Sequence, residues 1–293
     1  MITILTPTYN RAYIIGKAYK SLVKQKSKDF EWLVIDDGSS DNTKEVINNF
    51  IKENKINIRY YYKKNGGKHT ALNYGISKAK GELILVLDSD DILTSDAIKL
   101  VNKYWKKYES NKKICGMTFL RKIINPMYKT NIFNEQVSNM IEFKYNNKNL
   151  ADMCEVIRTD IYKQYKYPEF ENEKFLSEVI LTLQISKKYD TAYIPVEIYE
   201  TEYLEDGLSK NWLKNVVNSP NGARANSKEF MSSDFKFGTR LKNCIEYNVF
   251  SIIAKKPILK ESKMKFWSVF FYIPSLFISI ILKQKYIRRN KHD

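Results

Sequence analysis

The chain has 293 residues, enough for one large domain or two smaller ones with a sizeable core. Hydrophobic residues make up 43% and aromatics 14%, too apolar for a disordered chain, and only 10 Gly and 7 Pro exclude collagen-like and low-complexity classes. A net charge of +16 points to nucleic acid or to an anionic membrane surface, and composition alone does not choose between them.

The chain opens directly on an apolar run, Met1 to Thr6, without the basic region and longer apolar stretch of a secretory signal, so none is expected. Strand-like runs fall at 2–6, 32–35, 58–62 and 83–87. Between them, helical spacing groups Ile14, Ile15, Ala18, Leu22 and Val23 on one face. Val46, Ile47, Phe50 and Ile51 share a second face, and Ala71, Leu72, Gly75, Ile76 and Ala79 a third. Ser40 followed by Asp41 and Glu45 reads as a helix start, with a capping oxygen and acids in the first turn. Strands alternating with helices at this spacing predict βαβ units and a mostly parallel sheet, in which ligands sit at the carboxyl ends of the strands. The middle, about 110–210, mixes β-like runs at 115–123 and 191–199 with a predicted helix from about Glu173 to Lys188. Ser219 to Gly222 reads as loop, followed by helix. The three cysteines, Cys115, Cys154 and Cys244, lie far apart with no CxxC. They argue against a disulfide framework or structural zinc and for a reducing compartment.

Three of the first four strands run into polar clusters: Thr6 to Asn10, Asp36 to Ser39, and Asp88 to Asp91. An apolar strand that ends in three carboxylates gathers mutually repelling charges, which costs energy unless a cation or hydrogen-bond donors sit among them. Asp88, Asp90 and Asp91 are therefore candidates to hold Mg²⁺ or Mn²⁺, against the bland reading of a solvated turn. Asp37 is a candidate to accept hydrogen bonds from a nucleobase, and Asp36 fits a simple turn. Tyr9 offers a flat face for a base, although a lone tyrosine near a strand end is more often packing. Gly66 and Gly67 allow close backbone approach to a ligand, and Lys68 at a helix start suits a phosphate. The spacing is neither that of a P-loop nor GxGxxG. His69 reads as a surface or capping residue.

The four segments Ile4–Arg11, Val34–Asp41, Gly66–Gly75 and Leu87–Asp91, in this order and spacing, resemble the nucleotide-sugar domain of family 2 glycosyltransferases. The resemblance is strong over about residues 1–100 and looser to about 215. It implies an α/β chain of the GT-A nucleotide-diphospho-sugar transferase fold, with a mostly parallel central sheet flanked by helices and a C-terminal helical segment. The implied organisation is 1–100 for nucleotide-sugar binding, 101–215 for the acceptor side, and 216–293 as a basic helical region. Donor-binding positions would be Thr6, Pro7, Tyr9, Asp37, Lys68, Asn73, Asp88 and Ser89, with Tyr9 and Asp37 at the base and Lys68 near the diphosphate. Asp90 and Asp91 would hold Mn²⁺ or Mg²⁺.

Such enzymes invert the anomeric centre in one displacement, so an acceptor hydroxyl must lose its proton to a carboxylate. Members often carry a Glu-Asp pair at the start of a helix. Glu178 matches the glutamate and Val179 stands where the aspartate would be, which makes Glu178 the first candidate base and Glu173 the second. Tyr203 to Asn211 resembles a loop of bacterial polysaccharide-synthesis members, placed near the diphosphate or as a lid. The implied function is metal-dependent transfer from a nucleotide-diphosphate donor, expected to be a UDP-sugar, to a glycan or lipid-linked acceptor in bacterial polysaccharide synthesis. A sugar nucleotidyltransferase is a second reading, but Thr6 to Asn10 lacks the glycine-rich basic loop it needs. A basic binding protein without catalysis is a third.

From Lys236 onward there are 13 Lys and Arg against three acids, so this last fifth carries +10 of the charge. It contains Phe266 to Leu282, 17 residues without a charge but with Pro274 inside. That is the lower limit for a spanning helix. Cations beside an apolar run, rather than interleaved with aromatics, favour a membrane surface over nucleic acid. The expected location is cytoplasmic, peripheral to the inner face of the cell membrane.

Overall fold

The computed structural model describes residues 1–123, 133–149, 151–201 and 211–287. The chain divides into two units, Met1–Lys166 with Ile185–Tyr203, and Tyr167–Gln184 with Leu204–Asp293. The sequence suggested instead a single cut near 215. Residues 167–184 join the C-terminal unit because Phe175 packs with Val216, Val217 and Phe250 there, and Glu173 binds the 221–222 backbone.

The first unit is built on one sheet. Its elements are β1 (Ile2–Thr8), α1 (Gly16–Val23), β2 (Phe30–Asp36), α2 (Thr43–Glu53), β3 (Ile58–Tyr62), α3 (Lys68–Lys78), β4 (Leu83–Val86), β5 (Ile92–Leu93), α4 (Ala97–Tyr108), β6 (Ile114–Ile123), β7 (Gln136–Ser138), β8 (Met153–Arg158), α5 (Thr159–Tyr162) and β9 (Asp190–Thr201). The strand order is β3-β2-β1-β4-β8-β6-β9-β5, with β7 against β9. Strands β3, β2, β1 and β4 run parallel, and antiparallel pairs enter from β8 onward. β1 and β2 are buried along their whole length, which is why they read as nearly continuous apolar runs.

On one face, Trp32 of β2 lies beneath Tyr19 of α1, whose ring stacks on Phe50 of α2 at 3.9 Å. On the other, α3 approaches β1 closely at Gly75, where an added Cβ would stand 2.2 Å from Leu5 Cδ1. α2 starts at Thr43 rather than at Ser40, because the Asp41 carboxylate takes the Thr43 N–H at 3.0 Å.

The second unit is helical: most of α6 (Val179–Ser186), then α7 (Trp212–Asn218), α8 (Pro220–Phe230), α9 (Phe237–Ile253), α10 (Lys265–Phe270) and α11 (Tyr272–Leu282). The predicted helix from 173 begins only at 179. Residues 173–178 stay outside it because the Glu173 carboxylate is held at the start of α8. The predicted loop at 219–222 is largely that helix start, with Pro220 in the first turn, where its missing N–H costs nothing.

The apolar segment 266–282 forms α10 and α11, separated at Phe271. Among the described residues, no helix is long and apolar enough to cross a membrane.

Candidate active site

The polar clusters meet at the carboxyl end of the parallel strands. β1 places Thr8 opposite Asp36 of β2, and the Asp37 N–H donates to the Thr8 carbonyl at 2.8 Å. The loops that follow are tied together. Asn10, at φ 52°, accepts the Ser40 N–H at 2.8 Å, and its own N–H donates to Ser39 Oγ at 2.8 Å. This crosslink leaves Tyr9 at the surface, 48% exposed. Thr6 and Pro7 are buried. The Thr6 hydroxyl accepts the Trp32 indole N–H at 2.9 Å, so Thr6 braces the sheet beneath the site.

Asp37 differs most from expectation. Its carboxylate is 3% exposed and already saturated. Lys63 Nζ lies 2.6 Å and the Gly66 N–H 3.0 Å from Oδ1, while Oδ2 accepts from the Gly67 N–H at 2.7 Å and from Asn65 Nδ2 at 3.1 Å. The glycine pair approaches this carboxylate: Gly67, at φ 94°, turns its N–H inward just before α3. Asp37 thus holds the 63–70 loop in shape. His69, expected at the surface or as a cap, is buried on α3.

α3 starts at Lys68, whose ammonium lies 2.6 Å from Asp88 Oδ1 at the end of β4. Asn73 sits half-buried on the same helix, and Ser89 is buried in the turn. Burial pushes the Asp88 carboxyl up, but the Lys68 ammonium and the Arg121 guanidinium outweigh it and hold the group below the usual carboxylate range. Asp90 is half-buried, and its carboxyl is raised by burial and then by the Asp88 charge. Asp91 turns inward. Its Oδ2 accepts the Tyr199 hydroxyl at 2.7 Å, and burial with the Asp88 charge pushes its carboxyl up to about 6.

Four further residues of this neighbourhood are not among the sequence-predicted site residues. Tyr199 of β9 is fully buried and bridges the turn, accepting the Asp88 N–H at 3.0 Å while donating to Asp91. Arg121 of β6 lies with its guanidinium carbon 4.3 Å from the Tyr199 ring centroid, and among the described residues its buried Nε has no hydrogen-bond partner. Among the described residues the buried Thr8 hydroxyl is likewise without one, and Lys63 pairs with Asp37. Thr8 lies in the Thr6 to Asn10 cluster, and Arg121 stands with Lys122 as a pair of charges in a mainly apolar strand.

The carboxylates suit a divalent cation only in part. Asp90 and Asp88 are hard oxygen donors whose mutual repulsion a cation relieves. Asp91, expected as a second ligand, is taken up by Tyr199. Among the described residues, no group of three or more His, Cys, Asp or Glu is arranged to hold a metal. An ion here needs further oxygens from its ligand, which a diphosphate supplies.

The candidate bases lie in the second unit. Glu173 is buried and receives the Asn221 and Gly222 N–H groups at 2.9 and 2.8 Å, with Asn221 Nδ2 at 2.7 Å. It serves as a carboxylate cap on α8. Glu178 is half-buried, one residue before α6. Most of the loop expected at 203–211 lies outside the described residues.

The family model for "Glycosyl transferase family 2" matches residues 3–165. An uncharacterized glycosyltransferase of Mycoplasma genitalium is 32% identical over 192 residues, covering 62% of this chain and 62% of that protein. The GalNAc(5)-diNAcBac-PP-undecaprenol beta-1,3-glucosyltransferase of Campylobacter jejuni is 39% identical over 99 residues, covering 33% of this chain and 32% of that one. The chain thus spans less than two thirds of these relatives. Among solved structures, S. aureus TarS 1-349 in complex with UDP-GlcNAc superposes with a TM-score of 0.62 at 19% identity, covering 96% of this chain and 81% of that one. The mannosyltransferase PcManGT from Pyrobaculum calidifontis, in complex with GDP-Man and Mn²⁺, gives 0.58 at 13% identity over 96% and 83%. The chain belongs to glycosyl transferase family 2 and has the GT-A fold.

Proposed function

We propose that this chain is a glycosyltransferase that moves a sugar, with inversion, from a nucleoside-diphosphate donor of the UDP-sugar type to a hydroxyl of a glycan or lipid-linked acceptor in bacterial polysaccharide synthesis. The observation that carries the reading is the Asp88–Ser89–Asp90 turn beside Lys68, at the carboxyl end of β4 in the family-matched domain. The TarS complex with UDP-GlcNAc and the undecaprenol-linked activity of the Campylobacter relative support the donor and acceptor classes.

In this reading the exposed Tyr9 ring takes the nucleobase. Asp37 acts on the donor through the loop it holds. Lys68 leaves Asp88 for the diphosphate, and Arg121 keeps Asp88 ionised once Lys68 is engaged. Asp90 would hold Mn²⁺ or Mg²⁺, and when bound, the ion neutralises charge on the departing diphosphate. The acceptor oxygen bonds to the anomeric carbon as the bond from that carbon to the phosphate oxygen breaks. The acceptor proton passes to a carboxylate, assigned to Glu178 on its motif position. We further place the enzyme peripherally at the inner face of the cell membrane, where a lipid-linked acceptor is presented. Nucleic acid is not a partner in this reading.

Purified protein incubated with a panel of nucleotide sugars, acceptor lipid extract and Mn²⁺, read by released nucleotide, tests it. Release of nucleoside diphosphate from a UDP-sugar, abolished by EDTA, is expected. Release of pyrophosphate from a nucleoside triphosphate and a sugar phosphate would instead establish the nucleotidyltransferase reading.

A further inference from the structure

Helices α10 and α11 are turned inside out relative to helices that face water. Their small polar residues point inward: Ser268, Ser275 and Ser279 are at most 1% exposed. Ser268 is tied to α9, its carbonyl accepting from Asn248 Nδ2 at 2.8 Å and its Oγ lying 3.4 Å from Cys244 Sγ. Phe266, Val269, Phe270, Ile273, Phe277 and Ile281 point outward, each at least 60% exposed. A surface helix in water shows the opposite pattern, and single exposed apolar residues do not form such a run.

The chemistry around this face selects its partner. Between residues 262 and 292 there are seven Lys and Arg and no Asp or Glu. Lys265 and Lys285, at the two ends of the helical pair, are exposed, as are Lys255, Lys256 and Lys260. A second copy of the chain would bring the same cations against each other across a two-fold interface. An anionic surface is complementary instead. α11, with 11 residues, is about 16 Å long against a hydrocarbon core of about 30 Å, so it fits the plane of an interface rather than a span.

We infer that the outward face of α10 and α11 docks in the plane of an anionic phospholipid bilayer, with Phe266, Phe270, Ile273, Phe277 and Ile281 in the acyl boundary and Lys265 and Lys285 at the headgroups. This deepens the membrane location proposed above and rests on it. It is independent of which sugar is transferred.

Flotation of the full chain with phosphatidylglycerol–phosphatidylcholine vesicles, and with phosphatidylcholine alone, tests it. Binding to the anionic vesicles, weaker by about tenfold or more on neutral ones, is expected. The variant Phe270→Ser/Ile273→Ser/Phe277→Ser/Ile281→Ser changes only exposed positions and should lose about tenfold or more in binding while keeping its circular dichroism. The pair Lys265→Glu/Lys285→Glu gives a second reading that leaves the apolar face intact, with a loss specific to anionic vesicles. If wild type and both variants float equally well, the docking face is wrong and the membrane location stands. If wild type binds neither vesicle, both fall. A wild-type dimer in sedimentation velocity that the serine variant dissociates would make a second copy the occupant and overturn the inference.

Discussion

The Tyr199 hydroxyl donates to Asp91 Oδ2 at 2.7 Å across 108 residues of sequence, and the same oxygen accepts the Asp88 N–H at 3.0 Å. One phenol therefore sets the shape of the carboxylate turn and decides which acids face outward. It removes Asp91 from the set open to a ligand and leaves Asp88 and Asp90.

Tyr199→Phe keeps the ring beneath Arg121 and deletes both hydrogen bonds. Leaving the buried Asp88 N–H and the Asp91 carboxyl short of a partner should cost about 1–3 kcal/mol of unfolding free energy. The donor KM should rise more than the turnover falls, because the turn loses its support rather than a reacting group. Urea denaturation and steady-state kinetics measure the two. Unchanged values in both would show that the turn is held by other contacts.

Asp90→Asn should abolish metal-dependent transfer, by about a hundredfold or more, since several kcal/mol of charge stabilisation depend on the ion. The fold should persist, because this side chain is half-buried and fills no core position. Transfer read against Mn²⁺ concentration, beside a melting curve, is the measurement. Full activity in the variant would end the metal assignment.

The two glutamates should separate cleanly. Glu178→Gln is expected to cut turnover by about 10²–10⁴ while donor affinity, read by calorimetry, is preserved. Glu173→Gln should instead lower stability by about 1–3 kcal/mol, because the carboxylate at the start of α8 loses its charge. A turnover defect at Glu173 with wild-type stability would move the base there.

Glu31 couples folding to acid. Burial pushes its carboxyl up, but hydrogen bonds from Arg59, the Thr3 hydroxyl and the Lys80 N–H outweigh that and hold it below the usual range. A depressed folded-state value means its contribution is complete above the unfolded value, about 4.3, and is lost as pH falls through the folded one. Glu31→Gln should therefore be less stable than wild type near neutrality, with the two urea midpoints converging as pH drops below about 4. Parallel curves would show that the ion pair with Arg59, at 2.8 Å, adds nothing.

The sequence by itself determined the alternation of strands and helices over the first hundred residues, because each element there buries a full face with its own period. β3 was read at 58–62, as observed. It also marked the strand ends as the place to look, since Asp and Gly clusters have no role inside an apolar strand. The tertiary structure decided which of those groups are open. Asp37 and Asp91 look equivalent to Asp90 in the chain, yet Lys63 with the 65–67 loop saturates the first and Tyr199 takes the second. Motif position alone ranks Glu178 ahead of Glu173 as a base, and the tertiary structure adds that the start of α8 holds the Glu173 carboxylate. Such choices depend on contacts between residues tens to more than a hundred positions apart, and no local period records them. The basic, apolar tail shows the same division. Its composition raises the expectation of a membrane surface, and only the burial of its serines shows which side chains are left outside.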